Sequence, residues 1–155
     1  MCIDAVSICY SGNYSNIHRG IYHLSANLTR QYEEVRNLIA KFINAKLSSE
    51  IIFTKSATEA LNLLATVMCK EYLKDGDEIL ISYLEHHANI VPWQIQTEGK
   101  NINLVVADLN DDSTLNIEDL LKKISTKTKL ISLTHMSNSL GHITDIKKIT
   151  QEAKK

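Results

Sequence analysis

Glu78-Ile79-Leu80-Ile81-Ser82-Tyr83-Leu84-Glu85-His86-His87-Ala88-Asn89-Ile90-Val91-Pro92-Trp93 is the stretch whose reading decides the fold. Ile79-Leu80-Ile81 is a short unbroken apolar run, the pattern of a buried strand. Pro92 suits the first turn of a helix, where a missing N–H costs nothing. Between strand and helix lies a loop carrying a Glu, two adjacent His and an Asn. In an open α/β sheet, ligands bind outside the carboxyl ends of the strands. The stretch therefore gives the place of a site before it gives any chemistry.

Working outward, the pattern alternates. Asp75-Gly76-Asp77 reads as a turn before the strand, and residues 57–74 carry Leu61, Leu64, Ala65 and Met68 at helical spacing. Ile51-Ile52-Phe53-Thr54 reads as a short β-type run. A long helix is predicted upstream, with Ser25 as its N-cap and Leu28, Tyr32, Val35, Leu38, Ile39 and Phe42 on its apolar face. Asn16 to Gly20 is a loop, and Ala5 to Ile8 is a short strand or helical turn. Downstream, Asn103–Ala107 and Leu130–Thr134 are strands. Asn116 caps a helix through Leu120, Leu121 and Ile124, residues 135–144 form a loop, and a last helix begins at Asp145. Strands alternating with helices of this length predict an α/β fold, a mostly parallel sheet flanked by helices.

The bulk numbers exclude several classes. The length, 155 residues, is that of one domain, and 44% hydrophobic with 23% charged residues is a globular composition. Seventeen basic against eighteen acidic residues, net −1, give no electrostatic case for nucleic acid or an anionic membrane. No apolar run approaches the roughly 20 residues of a spanning helix. No basic segment followed by an apolar core opens the sequence, so a cytoplasmic location is expected. Cys2, Cys9 and Cys69 lack C-x-x-C spacing, which argues against a disulfide framework or a structural zinc site. Cys69, in a helical pattern, is expected as a small buried hydrophobe.

Four constellations carry potential chemistry. Thr54-Lys55-Ser56-Ala57-Thr58-Glu59 opens a helix, whose first N–H groups favour phosphate; the alternative is that Ser56 or Thr58 only caps the helix, with Glu59 completing the cap. Consecutive His86 and His87 rarely aim at one metal ion, so one imidazole stacking on an aromatic ligand is the stronger reading; the alternative is a solvent-exposed pair or a His hydrogen-bonded within the loop. Glu85 beside them reads equally as a surface charge. Asn138 either orients a ring substituent or forms a turn. Arg19, after His18, either binds a carboxylate or is a surface charge. A phosphate-capable helix start, a stacking His and an orienting Asn on strand-end loops fit one phosphorylated aromatic ring, and pyridoxal phosphate meets that description.

Asn16 to Ser25, Thr54 to Asn62, Glu85-His86-His87-Ala88-Asn89-Ile90-Val91-Pro92-Trp93-Gln94 and Thr134-His135-Met136-Ser137-Asn138-Ser139-Leu140-Gly141 occur in that order. Together they resemble the SUF-type (group II) cysteine desulfurases and selenocysteine lyases of the class V aminotransferase family, pyridoxal 5'-phosphate enzymes of fold type I. The resemblance runs from about Tyr10 onward, and its E-H-H-A-N-I-V-P-W run is its most specific part. It implies that Thr58 and the Ala57 amide hold the cofactor phosphate. His86 would stack on the pyridine ring and Asn138 would hydrogen-bond near the ring oxygen or the substrate. His18 and Arg19 would lie at the active-site mouth, where the family's homodimer completes each pocket. The implied reaction converts L-cysteine to L-alanine and leaves an enzyme persulfide, whose sulfur passes to an acceptor of the SUF system for iron–sulfur cluster assembly.

The resemblance also implies what lies outside residues 1–155. No Lys here sits in the Ser-x-His-Lys context of the lysine that joins the cofactor covalently, and Cys69 lies in the wrong element for the persulfide Cys. Ala57 stands where many relatives have a hydrogen-bonding residue. The expectation is a partial large domain, lacking an initial segment and the C-terminal half. It would be inactive alone, with no catalytic residue of its own, and a complementary chain would complete it. A non-catalytic remnant or interaction module, and a selenocysteine lyase or other class V enzyme, are the alternatives.

Overall fold

The structure, a computed structural model, describes residues 1–154. The chain divides into two compact units, Met1–Phe53 and the residues from Thr54 onward.

The first unit is helical. Helix α1 (Cys2–Ile8) runs into a π-helical turn at Cys9–Asn13, and α2 (His23–Phe42) follows a loop. That loop is tied to α2 by side chains: the Ser25 hydroxyl donates to the Asn16 carbonyl at 2.8 Å, and the His18 N–H donates to Thr29 Oγ1 at 3.0 Å. Ser25 is thus not the expected N-cap, a position held by Tyr22 without a side-chain cap bond; Ser25 lies buried in the first turn and holds the loop instead. The Ile51–Thr54 run is not a strand, because among the described residues no neighbouring strand takes its backbone groups; the Ile51 carbonyl accepts from the Arg36 guanidinium. The same guanidinium lies 5.2 Å from the centres of the Tyr32 and Phe53 rings and bonds Glu33 at 3.1 Å. The expected apolar face of α2 has little cover: Val35, Leu38 and Phe42 are 50%, 65% and 86% exposed.

The second unit is the α/β layer structure. Its elements are α3 (Ala57–Val67), continued by a π-helical turn at Met68–Tyr72, then β1 (Glu78–Ser82), α4 (Val91–Thr97) and β2 (Asn103–Ala107). After them come α5 (Ile117–Lys123), β3 (Thr128–Ile131) and α6 (Ile146–Ala153). The three strands are all parallel in the order β2-β1-β3. Central β1 explains the unbroken apolar run. Ile79 and Ile81 face a cluster with Ala65, Cys69 and Trp93, while Leu80 faces Ala107, Leu120 and Ile149. All three β1 residues are at most 1% exposed, each worth about 1.5–3 kcal/mol of burial.

Local signals fix the ends of these elements. The Asn116 side chain accepts from the Asp119 N–H at 2.9 Å and starts α5, and Asp145 accepts from the Lys148 N–H at 3.0 Å and starts α6. Gly76, at φ 89°, makes the turn into β1 in the left-handed region. The chain passes from β1 to β2 on one side, then crosses to β3 on the other, so β1 stands at a topological switch point. Loops leaving the carboxyl ends of β1 and β3 there diverge around a crevice. Strand β3 begins and ends earlier than expected, since the Thr134 N–H goes to Glu85 Oε1 at 3.0 Å rather than to a strand partner.

Candidate active site

The crevice is a cleft of ≈ 440 Å³, the size range of small-molecule sites. Ala57 and Leu61 of α3 form one side, Glu85, His86, Ala88 and Asn89 of the β1–α4 loop another, and the segment after β3, including Thr134, Met136 and Asn138, a third. The structure brings Ala57, His86 and Asn138 together around this cleft. Thr58 lines an adjoining groove of ≈ 290 Å³ that shares His86 and Ala88 with the cleft and also holds His87.

The α3 start shows the capping that the sequence offered as the alternative reading. Ser56 is the N-cap: its hydroxyl oxygen accepts from the Glu59 N–H at 3.2 Å, while the Glu59 carboxylate accepts from the Lys55 N–H at 2.6 Å. Among the described residues, the Ala57 and Thr58 N–H groups have no acceptor. Two free donors at the positive end of a helix suit an anion. Ala57 contributes a methyl group and no hydroxyl.

His86 has its imidazole set by its own turn. Nδ1 accepts from the Ala88 N–H at 3.0 Å, so the neutral ring carries its proton on Nε2. The His87 ring is tilted 49° from it, with centres 6.2 Å apart. Asn138 is exposed at the cleft.

Beneath the cleft lies a buried polar network. Glu85 is 8% exposed, and its Oε1 accepts from the Ser82 hydroxyl at 2.7 Å and from the Thr134 N–H at 3.0 Å. Its Oε2 accepts from Asn89 Nδ2 at 2.7 Å. Asn89 Oδ1 in turn accepts from Trp93 Nε1 at 3.1 Å and Ser132 Oγ at 2.7 Å.

In the first unit, His18 takes φ 64°, meets the Tyr32 ring edge-on at 5.9 Å and places Nε2 3.3 Å from Glu33 Oε1. Arg19 is exposed.

These residues fit a phosphorylated aromatic ring: free amide donors for the phosphate, a flat imidazole with Leu61, Leu133 and Met136 for the ring, and an amide for a ring substituent. The description of the aminotransferase class-V family matches residues 1–155. The chain belongs to the class-V aminotransferase family. Members of this family are in general pyridoxal-phosphate dependent. A cysteine desulfurase of Serratia proteamaculans (strain 568) is 45% identical over 152 residues, covering 98% of this chain and 37% of that protein. The apo cysteine desulfurase of Thermococcus onnurineus NA1 superposes with a TM-score of 0.88 at 35% identity, over 98% of this chain and 37% of that one. An Escherichia coli cysteine desulfurase in its S-sulfonic acid form gives 0.79 at 30% identity, over 97% and 39%. This class-V chain thus spans 37% of the length of the Serratia relative.

Glu85 corrects the reading of a surface charge: donors from β1, the loop and the segment after β3 hold it inside. Ser132 and Thr134 are members of this network that the sequence reading did not single out, and the loop Asn it named, Asn89, joins them. Their one local signal is spacing, since Glu85–Asn89 and Asn89–Trp93 are each four residues apart, so a donor–acceptor chain climbs from loop to helix.

Proposed function

We propose that this chain supplies one wall of a pyridoxal 5'-phosphate site in a cysteine desulfurase. The observation that carries the reading is the single cleft shared by the α3 start at Ala57, the His86 imidazole and Asn138. Similarity to cysteine desulfurases over 98% of the chain supports the reaction class. The Ala57 and Thr58 amides bind the phosphate, His86 covers one face of the ring, and Asn138 orients a ring oxygen or the bound amino acid. His18 and Arg19 serve the mouth of a pocket completed in a homodimer. When bound, the cofactor supplies an electron sink for bonds at the substrate α-carbon.

The reaction so assigned is L-cysteine to L-alanine, with sulfur carried as a persulfide to an acceptor of an iron–sulfur cluster assembly system in the cytoplasm. The lysine that joins the cofactor covalently and the cysteine that takes the sulfur come from outside residues 1–155, in the same or a complementary chain. The purified 155-residue chain is therefore expected to show no turnover of cysteine. Trp93, the one Trp of the chain, reports on the cleft through Asn89 and Glu85. Titration with pyridoxal phosphate should quench its fluorescence saturably, and inorganic phosphate should compete. Absence of saturable binding, or binding indifferent to phosphate, would overturn the assignment.

A further inference from the structure

The network under the cleft has only one consistent polarity. The Trp93 indole N–H is a donor and cannot accept, so Asn89 must present Oδ1 to it and Nδ2 to Glu85. The Thr134 backbone N–H is likewise donor-only and meets the other Glu85 oxygen. The Ser82 hydroxyl oxygen already accepts from the Leu84 N–H at 3.2 Å, which directs its hydrogen to Glu85. Both oxygens at position 85 must therefore accept. An amide there would turn hydrogen against hydrogen at one end or the other, at residues only 8% exposed.

We propose that Glu85 is the positioning residue of the cleft. Its carboxylate fastens the loop carrying His86, the next residue in the chain, to Thr134, where the segment bearing Asn138 leaves β3. The spacing of the two ligand-facing walls is thereby set by hydrogen bonds rather than by loop packing. Glu85 touches no ring itself; it acts through His86 and Thr134. The inference rests on the reading of the cleft as a cofactor ring site.

The test is a polarity swap in the purified chain, using Glu85→Gln, Asn89→Asp and the double variant. The readouts are 15N shifts of the His86 imidazole and affinity for pyridoxal phosphate. Glu85→Gln should lose the single Nδ1-acceptor tautomer of His86 and bind the cofactor about tenfold more weakly. Asn89→Asp alone opposes two carboxylates and should do the same. In the double variant the new carboxylate at 89 accepts from Trp93, Ser132 and the new amide at 85, whose oxygen accepts from Ser82 and Thr134. Both readouts should return to within about threefold of the parent.

An unchanged His86 signature in Glu85→Gln, or a double variant no better than the worse single, overturns the proposal. If Glu85→Gln does not fold, recovery of fold and His86 signature in the double variant supports the proposal, and its failure overturns it. If no variant, parent included, binds pyridoxal phosphate, the cofactor reading falls while the His86 shifts still decide the role of Glu85.

Discussion

The Nδ1 atom of His86 accepts from the Ala88 N–H at 3.0 Å, so the residue that walls the cleft also caps the turn that follows it. The two duties separate by substitution. His86→Phe keeps a flat ring and should hold affinity for pyridoxal phosphate within about twofold, yet lose about 1 kcal/mol of stability from the missing cap. His86→Ala should lose both, with binding about two- to tenfold weaker. Fluorescence titration and urea unfolding measure the two effects side by side.

Gly20 is a steric requirement. A Cβ at that position would fall 2.3 Å from Ser25 Oγ and 2.4 Å from Ser25 Cβ, and Ser25 is fully buried. Gly20→Ala should therefore destabilise the first unit by about 1–3 kcal/mol. Adding Ser25→Gly removes both clashing atoms and should recover part of the loss in urea unfolding, less the Ser25 bond to Asn16.

Acid sensitivity should trace partly to α5. The Asp108 N–H, and then Lys123 at 2.7 Å, hold the Asp119 carboxyl below its ordinary range. A depressed folded value means stability that is present above the unfolded carboxyl pKa of about 3.9 and is lost as pH falls through the lower folded value. Asp119→Asn should flatten the decline of unfolding free energy below about pH 4, as read from urea melts at a series of pH values.

Cysteine reactivity should be graded. Burial pushes the Cys69 thiol up, against a smaller opposing effect of Lys100. Cys69 is buried while Cys2 is exposed. A thiol reagent at neutral pH should label Cys2 promptly and Cys69 only on unfolding, as mass mapping would show. Prompt labelling of Cys69 in the folded chain would contradict the packing against Ala65 and Trp93.

What the sequence reveals is what local chemistry decides. The Ile79–Ile81 run, the turn at Gly76 and the Asn116 cap carry their signals within a few residues, and each stands where it was expected. The Ile51–Thr54 run shows the limit, since β-type composition does not say whether a partner strand exists. Glu85 is a sharper case: its burial depends on Thr134, a donor 49 positions away, which no window around the histidines contains. The cleft wall at Ala57, His86 and Asn138 was legible through motifs, while the separation of Thr58 into an adjoining groove depends on how α3 meets the loop.

One feature at the far end of the sheet governs all of this. Between Glu78↔Thr128 and Ile79↔Leu130 the register slips, leaving Lys129 as an extra residue in β3. Side chains alternate faces along a strand, so that single insertion sets the phase of everything after it. It places Ser132, whose N–H meets the Leu80 carbonyl at 2.9 Å, with its hydroxyl toward Asn89. Without Lys129 the exit of β3 would arrive half a pleat out of step, and the same residues would face the opposite layer. The site is therefore specified by an arithmetic of chain length as well as by residue identity, and deletion of one lysine at the strand entry would disarm it with every ligand-facing side chain still in the sequence.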